Sequence, residues 1–252
     1  MKPIATILTV FFTVMFSSSG HAAGVKVKKP YLGEAPMFQM IQSDAKANII
    51  FFNGGPGWWG NLRSKNFLIR EREKFFSRNL NVYLFPNKKK KYKMSYADRL
   101  HQDHTSRIRE LVRDIRTQND LPIILAGISR GAVSVGKFIS QYGKDVDGAI
   151  LLSAIYYNYE ITKKNDYSMQ TVIGTSGYTK ILVIHHENDC CKVCQPASAR
   201  QFYEDLETKH KTIKMISGGG TSGGCNGPFH HHGFEGVEDA VVEEVVSWIS
   251  LL

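Results

Sequence analysis

Short apolar runs alternate with segments of helical periodicity along most of the chain. Six apolar runs, each closed by turn-forming residues, span 48–52, 81–85, 122–126, 146–152, 181–184 and 212–216. Runs of this length and composition are typical of strands that are buried on both faces. They predict a mostly parallel sheet.

The segments between these runs have the spacing of amphipathic helices. In 105–116, Ile108, Leu111, Val112 and Ile115 follow the i, i+3, i+4, i+7 pattern and form one apolar face. Comparable patterns cover 132–142, 198–206 and 237–249. Alternating strands and helices predict an α/β fold with a doubly wound, mostly parallel sheet.

The first 23 residues have a different character. Lys2 gives a positive start, residues 4–16 carry no charge, and the small pair Ala22-Ala23 follows a serine-rich stretch. This order predicts a cleaved secretory signal peptide over 1–23, and the alternative is an uncleaved anchor. The folded domain would then span 24–252 in a secreted or periplasmic protein. No later segment is long and apolar enough for a membrane helix, so we expect no stable membrane insertion after cleavage.

Composition and charge exclude several classes. The 252 residues are 42% hydrophobic and 22% charged, which excludes a disordered or collagen-like chain. The net charge is +9, and the charge run NKKKKYK at 87–93 is best explained as a solvated loop after a strand. No nucleic-acid-binding motif accompanies it, so we expect no nucleic-acid partner.

Four cysteines lie after the predicted signal peptide, at Cys190, Cys191, Cys194 and Cys225. An even number of cysteines in an exported protein favours disulfides, and we expect Cys225 to tie its loop to the 190–194 cluster. Zinc is the competing interpretation, because Cys191 and Cys194 form a Cys-x-x-Cys pair. The second half of a finger is missing, so we expect no metal.

A Gly-x-Ser-x-Gly motif, GISRG at 127–131, follows one apolar run and opens a helix. A nucleophile on a tight strand-to-helix turn projects its hydroxyl clear of the backbone. Side chains two residues before and after it would collide, which explains Gly127 and Gly131. This context predicts Ser129 as a nucleophile.

Two further elements also follow apolar runs. The turn NGGPG at 53–57 can present a backbone N–H toward the same point as the serine, as an oxyanion hole requires. The segment HHEND at 185–189 offers a carboxylate that could orient a histidine. Asp189 is the preferred acid, with Glu187 and Asp166 as alternatives.

A run of three histidines, at 230–232, lies between the last apolar run and the last helix. Adjacent side chains diverge in a loop, so a shared metal ion is disfavoured and a general base is preferred. The elements therefore occur in the order serine, acid, histidine, which is typical of α/β-hydrolases.

The chain thus resembles an α/β-hydrolase over nearly all of its length after residue 23. By this resemblance GISRG gives Ser129 as nucleophile and the Arg130 N–H as one oxyanion donor. NGGPG is similar to the family's HGGPG turn, with asparagine replacing histidine, and implies the Gly55 N–H as the second donor. ILVIHHEND implies Asp189 as the acid, and HGFEG implies His232 as the base. No cofactor is implied.

The resemblance also suggests a disulfide pairing. Exported members with a cysteine after the acid and another before the histidine loop imply a bond between Cys191 and Cys225. Cys190 and Cys194 would then remain as a local pair.

The implied reaction is hydrolysis of small or medium carboxylic esters through an acyl-enzyme. Fewer than thirty residues separate the runs ending at 152 and starting at 181, which predicts a small or absent cap. Aromatic residues beside the motifs are candidate walls of the substrate pocket: Trp58, Trp59, Tyr156 and Tyr157. A peptidase, amidase or thioesterase of the same fold is one alternative, and a non-enzymatic secreted binding protein is another.

Overall fold

A single eight-stranded sheet forms the centre of the computed structural model, which describes residues 24–157, 167–173 and 179–252. The predicted signal peptide and Asp166 lie outside these residues. The strands are β1 (Val25–Val27), β2 (Met37–Met40), β3 (Ala47–Phe52), β4 (Leu80–Leu84), β5 (Ile123–Ile128), β6 (Gly148–Leu152), β7 (Lys180–His186) and β8 (Lys211–Ile216).

The spatial order of the strands is β1-β2-β4-β3-β5-β6-β7-β8. The pairs from β4 through β8 are parallel, whereas β1 and β2 add an antiparallel edge. The predicted mostly parallel, doubly wound sheet is confirmed. The chain reverses direction across the sheet at β3, because β4 lies on one side of it and β5 on the other. Ligand sites of open α/β sheets lie at such a reversal, outside the carboxyl ends of the strands.

Helices cover both faces of the sheet. They are α1 (Phe67–Arg70), α2 (Arg72–Phe76), α3 (Tyr96–Leu100), α4 (Gln102–Arg116), α5 (Gly131–Tyr142), α6 (Met169–Ile173), α7 (Pro196–Asp205) and α8 (Glu238–Ile249). Within the described ranges, no helix is long and apolar enough to cross a membrane.

The alternation of side chains along β3 shows how the two faces are built. Ile50 and Phe52 join the apolar cluster under α4, α5 and α7, while Ile49 and Phe51 join the cluster under α1, α2 and α8. Successive strand side chains point to opposite faces. A strand covered on both sides must therefore be apolar throughout, as its sequence is.

All six predicted strands and four predicted helices are present within a few residues of their expected bounds. The sequence pattern missed β1 and β2, because β1 is three mostly exposed residues and β2 is four residues long. The missed helices have four or five residues each, too few for a repeating apolar face. The connection between β6 and β7 includes 158–166 and 174–178, which lie outside the described residues, so the predicted small cap remains a prediction.

The register places the ends of the central strands side by side. Phe52 of β3 pairs with Gly127 of β5, and Leu152 of β6 pairs with Ile184 of β7. The turns that follow these strands therefore meet at one edge of the sheet. Each predicted catalytic motif begins at this edge or comes from a loop that reaches it.

Candidate active site

Ser129 occupies a sharp turn between β5 and α5. Its φ is +51°, a left-handed conformation that few non-glycine residues adopt, and its N–H donates to the Leu152 carbonyl at 2.8 Å. A Cβ added to Gly127 would lie 2.6 Å from the Gly131 carbonyl oxygen. A Cβ added to Gly131 would lie 1.9 Å from the Phe52 carbonyl oxygen. The predicted steric need for both glycines is confirmed.

The turn at 53–57 contacts this serine directly. A Cβ added to Gly54 would lie 3.1 Å from the Ser129 Cβ, whereas a Cβ added to Gly55 would have no atom within 4 Å. Among the residues that the structure describes, no acceptor is found for the backbone N–H of Gly55 or of Arg130. Within the described residues, neither N–H is therefore engaged in a hydrogen bond to the protein.

A buried arginine, which the sequence did not reveal, holds this turn in place. The Arg99 guanidinium donates to the carbonyl oxygens of Asn53 at 3.0 Å and Gly55 at 3.2 Å, and to the Ser134 hydroxyl at 3.0 Å. Burial lowers the pKa of Arg99 to about 10, with a further contribution from the charge of Arg130. The side chain therefore remains a cation near neutral pH, solvated by backbone carbonyls instead of water.

Asp189 lies just after β7, at the start of the turn that contains the cysteines. Its Oδ1 accepts a hydrogen bond from the Cys191 N–H at 2.9 Å, and its Oδ2 accepts one from the Nδ1–H of His232 at 2.8 Å. His185 approaches the same Oδ2 with its Nε2 at 3.4 Å. Asp189 is 5% exposed and His232 is 6% exposed, so this pair is shielded from water.

The pair shifts the pKa of both partners. Burial alone would raise the pKa of the Asp189 carboxyl, but hydrogen bonds from His185 and His232 outweigh burial and hold that pKa well below its usual range. Burial alone would lower the pKa of His232, but its hydrogen bond to Asp189 and the carboxylate charge raise it. The carboxylate therefore fixes the proton on Nδ1 and leaves Nε2 facing away as the free nitrogen.

The alternative candidates lie in other surroundings. Glu187 pairs with Arg200 at 3.2 Å on the surface. His231 donates through Nδ1–H to the Asn188 carbonyl oxygen at 2.9 Å, and a ring nitrogen of His230 lies 3.6 Å from the sulfur of Cys190. The geometry therefore favours His232 among the three histidines.

A cavity of about 330 Å³ opens at the serine. Ser129, His232, Trp58 and Trp59 all line it, together with the turn at 53–57. The two tryptophans thus lie where the sequence placed them, at the wall of a site that holds the serine and the histidine. A cavity of this size matches a small organic ligand.

The expected role of the two tyrosines in this wall is wrong. Tyr156 is fully buried, donates its hydroxyl to the Leu151 carbonyl at 3.0 Å, and packs on Phe202 of α7 at 5.3 Å. The Tyr157 hydroxyl donates to Asp205 at the end of α7. Both side chains follow β6 toward α7 and are absent from the cavity lining. The sequence could not distinguish packing aromatic residues from lining ones, because both follow strand ends.

The predicted cysteine pairing is also wrong. Cys225 is bonded to Cys190, with a Cα–Cα distance of 5.3 Å, and not to Cys191. Cys191 and Cys194 are free and buried, so no local bond joins Cys190 to Cys194. Consecutive side chains point in different directions: Cys190 faces the solvent and the loop of Cys225, while Cys191 faces the interior. The broader expectation, that Cys225 is tied to the cluster, is confirmed.

The two free thiols adjoin the serine and histidine. The side chain of Cys194 neighbours both Cys191 and Ser129, and Cys191 lies in the electrostatic field of His232. The side-chain hydrogen bond with Cys194 has the largest effect on the pKa of Cys191, which is lowered to about 6. The same interaction, with burial, raises the pKa of Cys194 well above its usual value.

No protein-family model matches the sequence, and a comparison with curated proteins finds no match. Solved structures do match. An α/β serine hydrolase homologue from Coxiella burnetii superimposes with a TM-score of 0.60 at 16% identity, covering 89% of this chain and 96% of that one.

Two further structures show the same likeness. A monoacylglycerol lipase from Paleococcus ferrophilus matches with a TM-score of 0.60 at 13% identity, over 84% of this chain and 98% of its own. An esterase from Thermogutta terrifontis with butyrate bound matches with a TM-score of 0.59 at 15% identity, over 92% of this chain and 94% of its own. With its strand order, its serine turn and these superpositions, the chain has the α/β-hydrolase fold.

Proposed function

We propose that this protein is a serine hydrolase that cleaves small or medium carboxylic esters. The observation that carries the proposal is the 2.8 Å hydrogen bond from His232 Nδ1 to Asp189, made by a histidine that lines one cavity with Ser129. The structures that superimpose on this chain include an esterase and a monoacylglycerol lipase, which supports the choice of substrate class.

In the first half of the reaction, the Ser129 oxygen attacks the ester carbonyl carbon and its proton passes to His232 Nε2. Asp189 stabilises the imidazolium that forms and keeps its tautomer fixed. The Gly55 and Arg130 N–H groups donate to the carbonyl oxygen as it becomes negative. Collapse of the tetrahedral species breaks the bond to the alkoxy group, which takes the proton from His232 and leaves as an alcohol.

The second half repeats these roles with water. His232 removes a proton from a water molecule, which attacks the acyl-enzyme carbonyl carbon and releases a carboxylic acid as Ser129 regains its proton. Each oxyanion donor typically contributes about 10²–10³-fold in rate, so positioning the 53–57 turn has a direct catalytic value.

Labelling with a fluorophosphonate probe tests the nucleophile. We expect the wild-type protein to be labelled, Ser129→Ala to lose labelling, and Ser140→Ala to retain it. Ser140 is a matched control because it is an exposed serine on α5 whose hydroxyl bonds to the Lys137 carbonyl. Labelling that persists in Ser129→Ala would place the nucleophile elsewhere.

A substrate panel then tests the ester preference. We expect p-nitrophenyl esters of short and medium acyl chains to be hydrolysed faster than long-chain esters, because the cavity is about 330 Å³. Faster release from aminoacyl-nitroanilides would indicate a peptidase instead.

We also propose that residues 1–23 direct export and are removed. The Cys190–Cys225 disulfide supports this location, because such bonds persist in oxidising compartments. Mass spectrometry of the protein from a periplasmic or culture fraction should find a chain that begins at Gly24. A chain that retains Met1 in that fraction would indicate an uncleaved anchor.

A further inference from the structure

Two buried thiols and an imidazole converge beside the cavity. The sulfur atoms of Cys191 and Cys194 and a ring nitrogen of His232 all lie within 4.8 Å of one another, and all three residues are buried. The proposed hydrolysis uses neither thiol. Ligand atoms of a tetrahedral zinc site lie about 4 Å apart, given bonds of about 2.3 Å to sulfur and about 2.0 Å to nitrogen. The cluster is therefore close to the size that one such ion requires.

The backbone already has the form of a chelating turn. The Cys194 N–H donates to the Cys191 carbonyl at 3.0 Å, which folds the Cys-x-x-Cys segment so that both sulfurs face the interior. This spacing is the one that structural zinc sites use for a pair of thiolates. The further ligand that was missing at finger spacing is His232, from the loop at 230–232 across the fold.

His232, the third ligand of the cluster, makes the hydrogen bond that metal-binding histidines usually make. A ligating imidazole almost always donates its other ring N–H to a carboxylate or carbonyl, which fixes its tautomer. His232 makes this bond from Nδ1 to Asp189 at 2.8 Å, so Nε2 is the nitrogen left for an ion. Asp189 is itself held by the Cys191 N–H at 2.9 Å.

We propose that Cys191, Cys194 and His232 bind a thiophilic divalent cation of the Zn²⁺ class. Two thiolates and a neutral imidazole form the ligand set, and any proton that either thiol still holds is released to solvent on binding. The neighbouring Ser129 hydroxyl or a water molecule completes the coordination. Cys190 and Cys225 cluster in the same way with His230, but their sulfurs are bonded to each other and are not available to an ion.

The ion and the ester compete for one atom. Hydrolysis requires His232 Nε2 as the base, and the cation requires the same nitrogen as a ligand. Binding of the cation therefore blocks hydrolysis reversibly. This second statement rests on the proposed function, whereas the binding itself does not.

Cobalt substitution tests the binding without any assay of activity. The probe is Co²⁺ added to the chelator-treated wild-type protein, followed by the thiolate-to-cobalt charge-transfer absorption in the near ultraviolet. We expect an absorption that saturates at one equivalent and that Zn²⁺ displaces. Cys191→Ser and Cys194→Ser should each weaken the apparent affinity by more than about 100-fold, since loss of a mere outer partner costs about 10–100-fold.

The matched control is the double variant Cys190→Ser/Cys225→Ser, which removes the other two sulfurs and should retain the absorption. Circular dichroism establishes that each variant is folded. The proposal is overturned by no charge-transfer absorption in the folded protein, by absorption that survives in both Cys191→Ser and Cys194→Ser, or by absorption lost only in the control. It is also overturned if thiol titration of the unfolded, unreduced protein finds no free thiol, since Cys191 and Cys194 would then be a disulfide.

An activity measurement addresses the competition separately. We expect Zn²⁺ to inhibit ester hydrolysis by the wild-type protein, and a chelator to restore it. Cobalt binding with no hydrolysis by the wild-type protein would uphold the metal site and contradict the proposed function. Hydrolysis with no cobalt binding would uphold the proposed function and contradict the metal site.

Discussion

The Arg99 guanidinium donates to the Gly55 carbonyl oxygen, 3.2 Å away, from a position that is almost completely buried. The bond reaches from α3 to the turn that carries one proposed oxyanion donor. Together with the bond to the Asn53 carbonyl oxygen, it helps to hold the turn that carries the Gly55 N–H.

Replacing Arg99 by methionine should reduce both stability and rate. Each carbonyl that loses its donor costs about 1–3 kcal/mol, and a displacement of about 1 Å in the turn can cost about 10²-fold in kcat. We expect kcat to fall more than KM rises, measured on a p-nitrophenyl ester. Arg109→Met is the matched control, because Arg109 forms a partly exposed ion pair with Asp145 at 2.8 Å. Equal effects in the two variants would contradict the positioning role.

Replacing Asp189 by asparagine should lower kcat by about 10⁴-fold, because the amide cannot hold His232 in the required tautomer. Glu187→Gln is the control, since Glu187 is exposed and pairs with Arg200. The measurement is steady-state hydrolysis of a p-nitrophenyl ester at saturating substrate. If Glu187→Gln proved to be the damaging change, the acid would have been assigned to the wrong residue.

Replacing Gly131 by alanine should prevent stable folding, or cost more than about 4 kcal/mol. The new Cβ would lie 1.9 Å from the Phe52 carbonyl oxygen, so β3 and α5 would have to separate. Gly224→Ala should be nearly neutral, because nothing lies within 4 Å of the corresponding Cβ. Urea unfolding of both variants provides the comparison, and a wild-type midpoint for Gly131→Ala would refute the steric argument.

The buried His104 should make the fold sensitive to acid. Burial, followed by the positive charges of Arg99 and Arg107, lowers its pKa well below the ordinary value, against a weaker opposing effect of Asp98. The unfolded chain takes up a proton near pH 6.5, whereas the folded chain does not. Stability is therefore full above about pH 6.5 and falls as the pH drops toward the folded-state pKa.

From about pH 7 to pH 5 this one group should cost about 2 kcal/mol of unfolding free energy. His104→Phe should remove that portion of the loss, because the ring lies among Phe52 and Phe85 with no hydrogen-bond partner for its nitrogens in the described part of the chain. His210→Gln is the control, because His210 is exposed and its replacement should leave the pH dependence of the unfolding free energy unchanged. An unchanged pH dependence in His104→Phe would show that other groups cause the acid sensitivity.

Much of the fold and site was predictable, because strand ends and turn chemistry are local properties of a sequence. Ser129, Asp189 and His232 each follow a recognisable run or motif, and the parallel sheet brings such positions to one edge. Arg99 was not predictable, since an arginine in a helical segment usually faces water and only the assembled fold shows the carbonyls around it. The choice between Cys190 and Cys191 depends on side-chain direction within a turn, which sequence spacing does not encode.

The Cys190–Cys225 crosslink joins the two loops that carry the proposed acid and base. Cys190 is adjacent to Asp189, and Cys225 precedes His232 by seven residues. Opening the crosslink would remove the covalent connection between these loops and leave the parallel sheet intact, because the sulfurs lie outside both apolar clusters.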